Sequence, residues 1–438
     1  MAGGTWTVQN KTRPGVYVNT KSAPKALGSL GERGVVSMPL TLSWGQPKVI
    51  VAIEAGENTA SKLGYDISAP QLLLVREALK RAKKLLLYRV NAGTKATATS
   101  GSLTATAKWG GVRGNDLSIV IQTNVDENTK FDVITKLEGT AVNTQTVANI
   151  TGLIPNAWID WSGTGSLATT AGAPLVGGAD GTAAIQDYSD YLAALEIEDF
   201  NTIGLPVTTS TIKSAVVAFV KRLREDEGKK IVAVLENYPA ADYEGVISVK
   251  NGVVLDDGTT LTAAQATAWT AGATAGANVN ESLTYAAYEG AVDVSPRYTN
   301  SQIVAALRAG EFLFTPSKGK AVVEQDINTL TGFSPEKGKM FAKNRVVRVL
   351  DGISNDFVRI FSGFYLGKVS NNAAGRNLLK GECINYLDTL QGIEAVQNFD
   401  SQTDITVSAG ADSDAVLIET NVQPVDSIEK IYVAVTVS

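Results

Sequence analysis

The sequence has no histidine in 438 residues and one cysteine, Cys383. Histidine is the usual general base near neutral pH and the commonest metal ligand. Its absence excludes a Ser-His-Asp or Cys-His nucleophile and the common zinc sites, although carboxylate pairs and lysine bases remain chemically open. A single cysteine cannot build an internal disulfide framework and fits a reducing compartment. Cys383 lies in an apolar helical pattern and reads as a core thiol. No run of about 18 apolar residues could span a bilayer. Residues 1–10 lack the basic start and apolar stretch of a secretory signal. The expectation is cytosolic synthesis without direct membrane insertion.

Net charge is −5, from 39 basic and 44 acidic residues, which argues against a nucleic-acid partner. Its distribution is uneven. Lys337, Lys339, Lys343, Arg345 and Arg348 follow one another without an acid, whereas residues 394–429 carry eight acids and no lysine or arginine. Such a dipole suits a surface that meets a second charged surface, or simply a solvated basic helix and acidic loop.

Alternation in Trp6-Thr-Val8 and Arg13-Pro-Gly-Val-Tyr-Val18 predicts extended segments bent at Pro14-Gly15. A strand at 36–42 contains Pro39, which lacks an N–H and is expected at a sheet edge. Ser68 with Gln71 has the form of a reciprocal helix cap, opening a helix with Leu72, Val75, Leu79 and Ala82 on one face and a buried strand at 85–90. Residues 92–181 change texture, being rich in Thr, Ala, Gly and Ser, with short strands at 103–109, 117–123 and 131–137. They read as a small all-β insertion, with 161–181 a long flexible exit loop.

Alternating helices and strands resume over 182–330, with Asn251-Gly252 as a tight hairpin and Thr299 opening a helix that Gly310 closes. From Pro335 the chain turns helical. Val346, Leu350, Ile353, Phe357, Ile360, Phe361 and Phe364 form one stripe, and Leu379, Cys383, Tyr386, Leu387 and Leu390 a second. Two strands at 415–423 and 427–437 end the chain.

The motifs that could announce an active site fail. Gly332 to Lys339 is one residue too long for a P-loop and lacks its Ser/Thr. Gly177-Gly-Ala-Asp-Gly181 and Asp412-Ser-Asp414 lack the spacing of calcium loops. Arg297 and Glu324-Gln-Asp326 adjoin strands and read as ion pairs or interface contacts. No catalytic, cofactor or metal residue is expected. The enzymatic alternative is a carboxylate-dependent hydrolase using Asp326 or Asp356. A further alternative is another self-assembling surface or structural protein.

The chain ends pose a puzzle, because exposed apolar strands at termini are an aggregation hazard. Used deliberately, they become arms donated to a neighbour's sheet. The arm candidates are Val16, Tyr17 and Val18 at one end and Ile431, Tyr432, Val433, Val435 and Val437 at the other. A chain that donates and accepts strands heterologously makes rings or helical filaments.

With Arg13-Pro-Gly-Val-Tyr-Val18, Gly110-Gly-Val-Arg-Gly-Asn-Asp116, Pro174-Leu-Val-Gly-Gly-Ala-Asp-Gly181, Val322-Val-Glu-Gln-Asp-Ile-Asn-Thr-Leu330 and Ser427-Ile-Glu-Lys-Ile-Tyr-Val433, the sequence resembles the tail sheath proteins of contractile phage tails and tail-like particles. The resemblance implies an α/β multidomain protein. Its parts would be an arm at 1–20, an α/β segment at 21–91, a β insertion at 92–181 and a subtilisin-like middle domain without catalytic residues at 182–330. Helices at 331–400 and strands with a second arm at 401–438 would complete an α/β C-terminal domain. It further implies hexameric rings stacked around an inner tail tube, with baseplate and tail terminator as further partners, assembled in the host cytoplasm. Contraction would drive the tube through a target envelope. Lys337, Lys339, Lys343, Arg345 and Arg348 would then face an acidic inner tube.

Overall fold

A computed structural model describes residues 2–4, 15–17 and 30–437. The chain forms two compact units, residues 32–355 with 424–438 and residues 1–31 with 356–423.

The larger unit is organised by a seven-stranded sheet. Its order is Glu311–Phe312, Val246–Val249, Val232–Glu236, Thr202–Gly204, Val35–Leu40, Lys84–Arg89 and Ile50–Glu54. Neighbouring strands are parallel except the last, which runs antiparallel at the edge. Both faces are covered, so the strands read as continuous apolar runs. Leu85 and Leu87 enter one core, while Leu86 and Tyr88 enter the other. The helix Ala263–Gly276 lies in the first core; its residues 266–275 are all buried, as an all-round small-residue helix requires. Thr262 caps it, accepting from Gln265 N at 3.3 Å while Gln265 Oε1 accepts from Thr262 N at 2.9 Å. The helices Ile185–Leu195 and Ser210–Glu225 cover the opposite face.

Residues 32–90 and 181–330 contribute strands to one sheet. Four expectations are corrected here. Pro39 sits in an inner strand, between Lys84–Arg89 and Thr202–Gly204. It is tolerated because the short neighbour pairs only with Val36 and Ser37, so no strand faces Pro39 on that side. Asn251-Gly252 is not a hairpin: Val246–Val249 belongs to the large sheet and Gly252–Leu255 to a separate three-stranded one. Asn251 is buried and bonds the backbone N and O of Phe314 at 2.9 and 3.0 Å, which carries the chain from one sheet to the other. Ser68 does not cap; its hydroxyl donates to Asp66, and a 3-10 turn Pro70–Leu72 precedes the helix Leu73–Leu79. Residues 161–181 are not a free loop, since they include the strands Thr170–Pro174 and Ala179–Asp180.

The insertion is a sandwich of antiparallel strands. One sheet runs Ile159–Ser162, Leu103–Ala107, Thr97–Ser100, and the other Thr140–Val147, Phe131–Leu137, Leu117–Thr123, Thr170–Pro174. Their inner faces share a core that includes Trp44, contributed by a loop of the α/β part.

In the smaller unit, the helix Ala373–Gly392 buries Cys383, Tyr386, Leu387 and Leu390. Asn372 caps it, accepting from Gly375 N at 2.9 Å. Phe357 of the helix Asn344–Phe364 packs edge-on against Tyr386, ring centroids 5.3 Å apart. A two-stranded hairpin, Ile405–Ala409 with Val416–Thr420, follows. Near the start of the chain, Ala2–Gly4 pairs in parallel with Gly15–Tyr17.

Candidate assembly surface

The C-terminal segment departs from the expected strand. Residues 425–437 carry no strand, and Ile431, Tyr432, Val433, Val435 and Val437 are 77–90% exposed. A strand needs a neighbour to satisfy its backbone groups, and among the described residues none is offered. At the other end, Val16 and Tyr17 lie in the short pair described above, and Val18 is outside the described residues.

The C-terminal segment is rooted by one carboxylate. Glu429 accepts from Thr284 Oγ1 at 2.9 Å, from Gln325 Nε2 and from Lys343 Nζ. Burial would push its carboxyl up. The bonds from Lys343 and Gln325 outweigh that effect and hold it below the usual glutamate range. Gln325 belongs to the motif Val322–Leu330 and Glu429 to Ser427–Val433, two stretches that carry the sheath resemblance. The sequence singled out their strands and missed the clasp between them. Its signal was a lone acid inside an alternating apolar run.

The five cations of residues 337–348 are dispersed. Arg348 is 4% exposed, donates to Glu281 O and lies 3.5 Å from Asp326, which removes it from any surface. Lys343 holds Glu429, and Lys337 pairs with Glu244 at 2.6 Å. Arg345 is half-buried and Lys339 exposed.

The acids weighed as catalysts are structural. Asp326 accepts from Leu283 N and Asn344 Nδ2 at 3.0 and 2.8 Å. Asp356 accepts from Gly31 N and the Tyr386 hydroxyl at 3.1 and 2.8 Å. Arg297 is exposed and forks onto Asp293 at 2.8 and 2.9 Å. Among the described residues no cluster of three or more Cys, Asp or Glu side chains could hold a metal, and no helix is long and apolar enough to cross a membrane.

The two glycine-rich motifs meet at the root of the sandwich. Asn115 and Gly178 exchange side-chain and backbone bonds of 2.8 Å, and Asp180 accepts from Val112 N and Ser43 Oγ at 3.0 and 2.9 Å. A Cβ on Gly111, at φ 137°, would lie 2.0 Å from Ser43 O, and one on Gly181 would lie 1.5 Å from Ala92 O. Arg89, 1% exposed, donates to Gly45 O and Gly110 O at 2.7 Å, and burial lowers its guanidinium to about 10. Trp44 and Trp158 complete the junction with ring centroids 5.4 Å apart. The sequence did not single out Trp44; a large aromatic in a polar loop was the available clue.

Models of four sheath regions match in succession: the Gp18 domain III N-terminal region at 33–90, the phage tail sheath beta-sandwich domain at 91–180, the central domain at 181–329 and the C-terminal domain at 336–438. A solved sheath tail protein from Desulfitobacterium hafniense is 67% identical, with a TM-score of 0.87 over 96% of this chain and 99% of that one. The chain belongs to the tail sheath family. The XkdK protein of the phage-like element PBSX of Bacillus subtilis strain 168 is 42% identical over the whole of both chains. The contracted helical sheath of the anti-feeding prophage shares the fold, at 14% identity and a TM-score of 0.59 over 97% of this chain and 99% of that one. The protein is therefore a structural tail sheath subunit, and not an enzyme. Its architecture is a mixed α/β multidomain with a β-sandwich insertion.

Proposed function

We propose that this sheath subunit polymerises as stacked hexameric rings around an inner tail tube, and that contraction of the sheath drives the tube through a target envelope. The observation that carries the reading is the C-terminal segment. Ile431, Val433, Val435 and Val437 alternate as in a strand and stand in water with Tyr432, rooted by Glu429, with no strand to join among the described residues. Apolar exposure on this scale in a regular segment marks an interaction site. A neighbouring copy supplies the missing strand, by main-chain pairing that gives strength and side-chain alternation that gives register. The hairpin Ile405–Ala409 with Val416–Thr420 is a suitable acceptor, because it contains only two strands and leaves Leu417 half exposed.

In this reading 1–20 provides one arm, 401–438 the C-terminal strands with the second arm, and 182–330 a subtilisin-like domain used only as scaffold. Inner tube, baseplate and terminator are the further partners in a particle assembled in the bacterial cytoplasm. Lys337 and Lys339, whose side chains reach solvent, are the members of the basic stretch suited to an acidic tube. Electron microscopy of the purified protein tests the proposal: tubes are expected, and a protein that stays monomeric at high concentration would overturn it.

A further inference from the structure

A groove of about 710 Å³ opens beside the root of the C-terminal segment. Val304 and Leu307, on the helix Asn300–Arg308, form one wall, and Ile327, Leu330 and Phe333 form the floor. Phe333 and Tyr285 are 48% and 63% exposed. Arg308, Lys339, Lys343 and Lys430 line it, against the carboxylates Glu324 and Glu429, the second of which Lys343 already engages. It is an apolar trough with a cationic rim.

The same chain carries the complementary shape. Between the helix Ile185–Leu195 and the strand Thr202–Gly204, the loop Glu196-Ile-Glu-Asp199 holds Ile197 out at 88% exposure, flanked by three acids. Glu196 pairs with Arg222 at 2.7 Å, and Asp199 lies 3.6 Å from Lys229 with its side chain fully in solvent. A single isoleucine raised on an acidic loop is poorly suited to water and well suited to an apolar trough ringed by cations.

We propose that the groove receives the Ile197 loop of a second copy, a heterologous contact that repeats from subunit to subunit. It rests on the sheath reading and adds an interface distinct from the arms. The position of the groove supports this occupant. The seven residues 431–437 leave the subunit at Lys430, on the groove's rim. Extended, they reach only about 23 Å, so the copy that accepts the arm stands close to the groove. A patch on one face that fits a pocket on another gives an open helical polymer, not a closed dimer.

Charge exchange tests the pairing. Arg308→Glu and Asp199→Arg are each expected to reduce tube formation by tenfold or more in sedimentation assays, while the monomers melt as the parent does. The double variant is expected to recover at least half of it. In a second measurement, tubes carrying Ile197→Cys with Val304→Cys are treated with a short bis-maleimide. A ladder of covalently linked subunits on a denaturing gel is expected; Cys383 is buried and its thiol is raised to about 12 by that burial, so it stays silent. Tubes that form normally in both single variants without a ladder would overturn the contact and leave the sheath reading intact. Normal self-assembly with loss of inner-tube binding alone in Arg308→Glu would assign the groove to the tube and overturn it too. Failure of the parent protein to form tubes would instead fall on the sheath reading itself.

Discussion

Arg224 and Asp351 meet inside the larger unit through two parallel bonds of 2.7 and 2.8 Å, both side chains almost out of water. Removing one partner strands a buried charge. Asp351→Ala is therefore expected to cost about 3–5 kcal/mol of unfolding free energy, read from urea denaturation. Glu429 acts at the same scale but in a different way. Its folded carboxyl is held below the ordinary glutamate value, so its contribution is complete above about pH 4.3 and fades as pH falls through the lower folded value. The side-chain amide of Gln325, which donates to Glu429, is expected to keep its NMR shift down to about pH 4 and to move towards the free value below it. In Glu429→Ala it should sit at the free value at neutral pH as well.

At the scale of elements, the C-terminal segment separates folding from assembly. Residues 431–437 bury nothing within their own chain, since every side chain among them is exposed. Deleting 430–438 is expected to leave the monomer's melting temperature within about 2 °C of the parent, because surface changes rarely exceed ±0.5 kcal/mol. The same deletion should abolish tubes under the microscope. Local pattern was a good guide wherever an element's partners were apolar and close. The strands Leu117–Thr123 and Phe131–Leu137 lie where alternation placed them, as does the helix that Thr299 opens. Local pattern failed at Pro39 and at Asn251-Gly252. Each residue type has a common local use, as edge proline or hairpin turn, and only the neighbouring strands show that neither use applies here.

At the scale of the molecule, the sandwich is joined to the α/β sheet by buried groups from both sides. Trp44 lies in the sandwich core, Arg89 reaches Gly110, and Arg113 donates to Gly64 O at 2.8 Å while stacking 4.2 Å from the Tyr65 ring. Such a junction couples the two parts, so calorimetry is expected to show them unfolding together. Trp44→Ala should lower stability by about 3–5 kcal/mol and split the transition, with the sandwich melting first.

What the sequence determined by itself was the class and its limits. An absent histidine removed most hydrolytic chemistry, composition marked the insertion, and apolar periodicity placed helices and strands, because each of these depends on residue identity over a short span. The tertiary structure alone decided that residues 32–90 and 181–330 share one sheet, that Arg348 is enclosed while Lys339 is exposed, and that Glu429 roots the tail. These facts rest on contacts between residues tens to hundreds of positions apart. Burial and ion pairing are properties of such meetings, and no local pattern encodes which distant group will arrive.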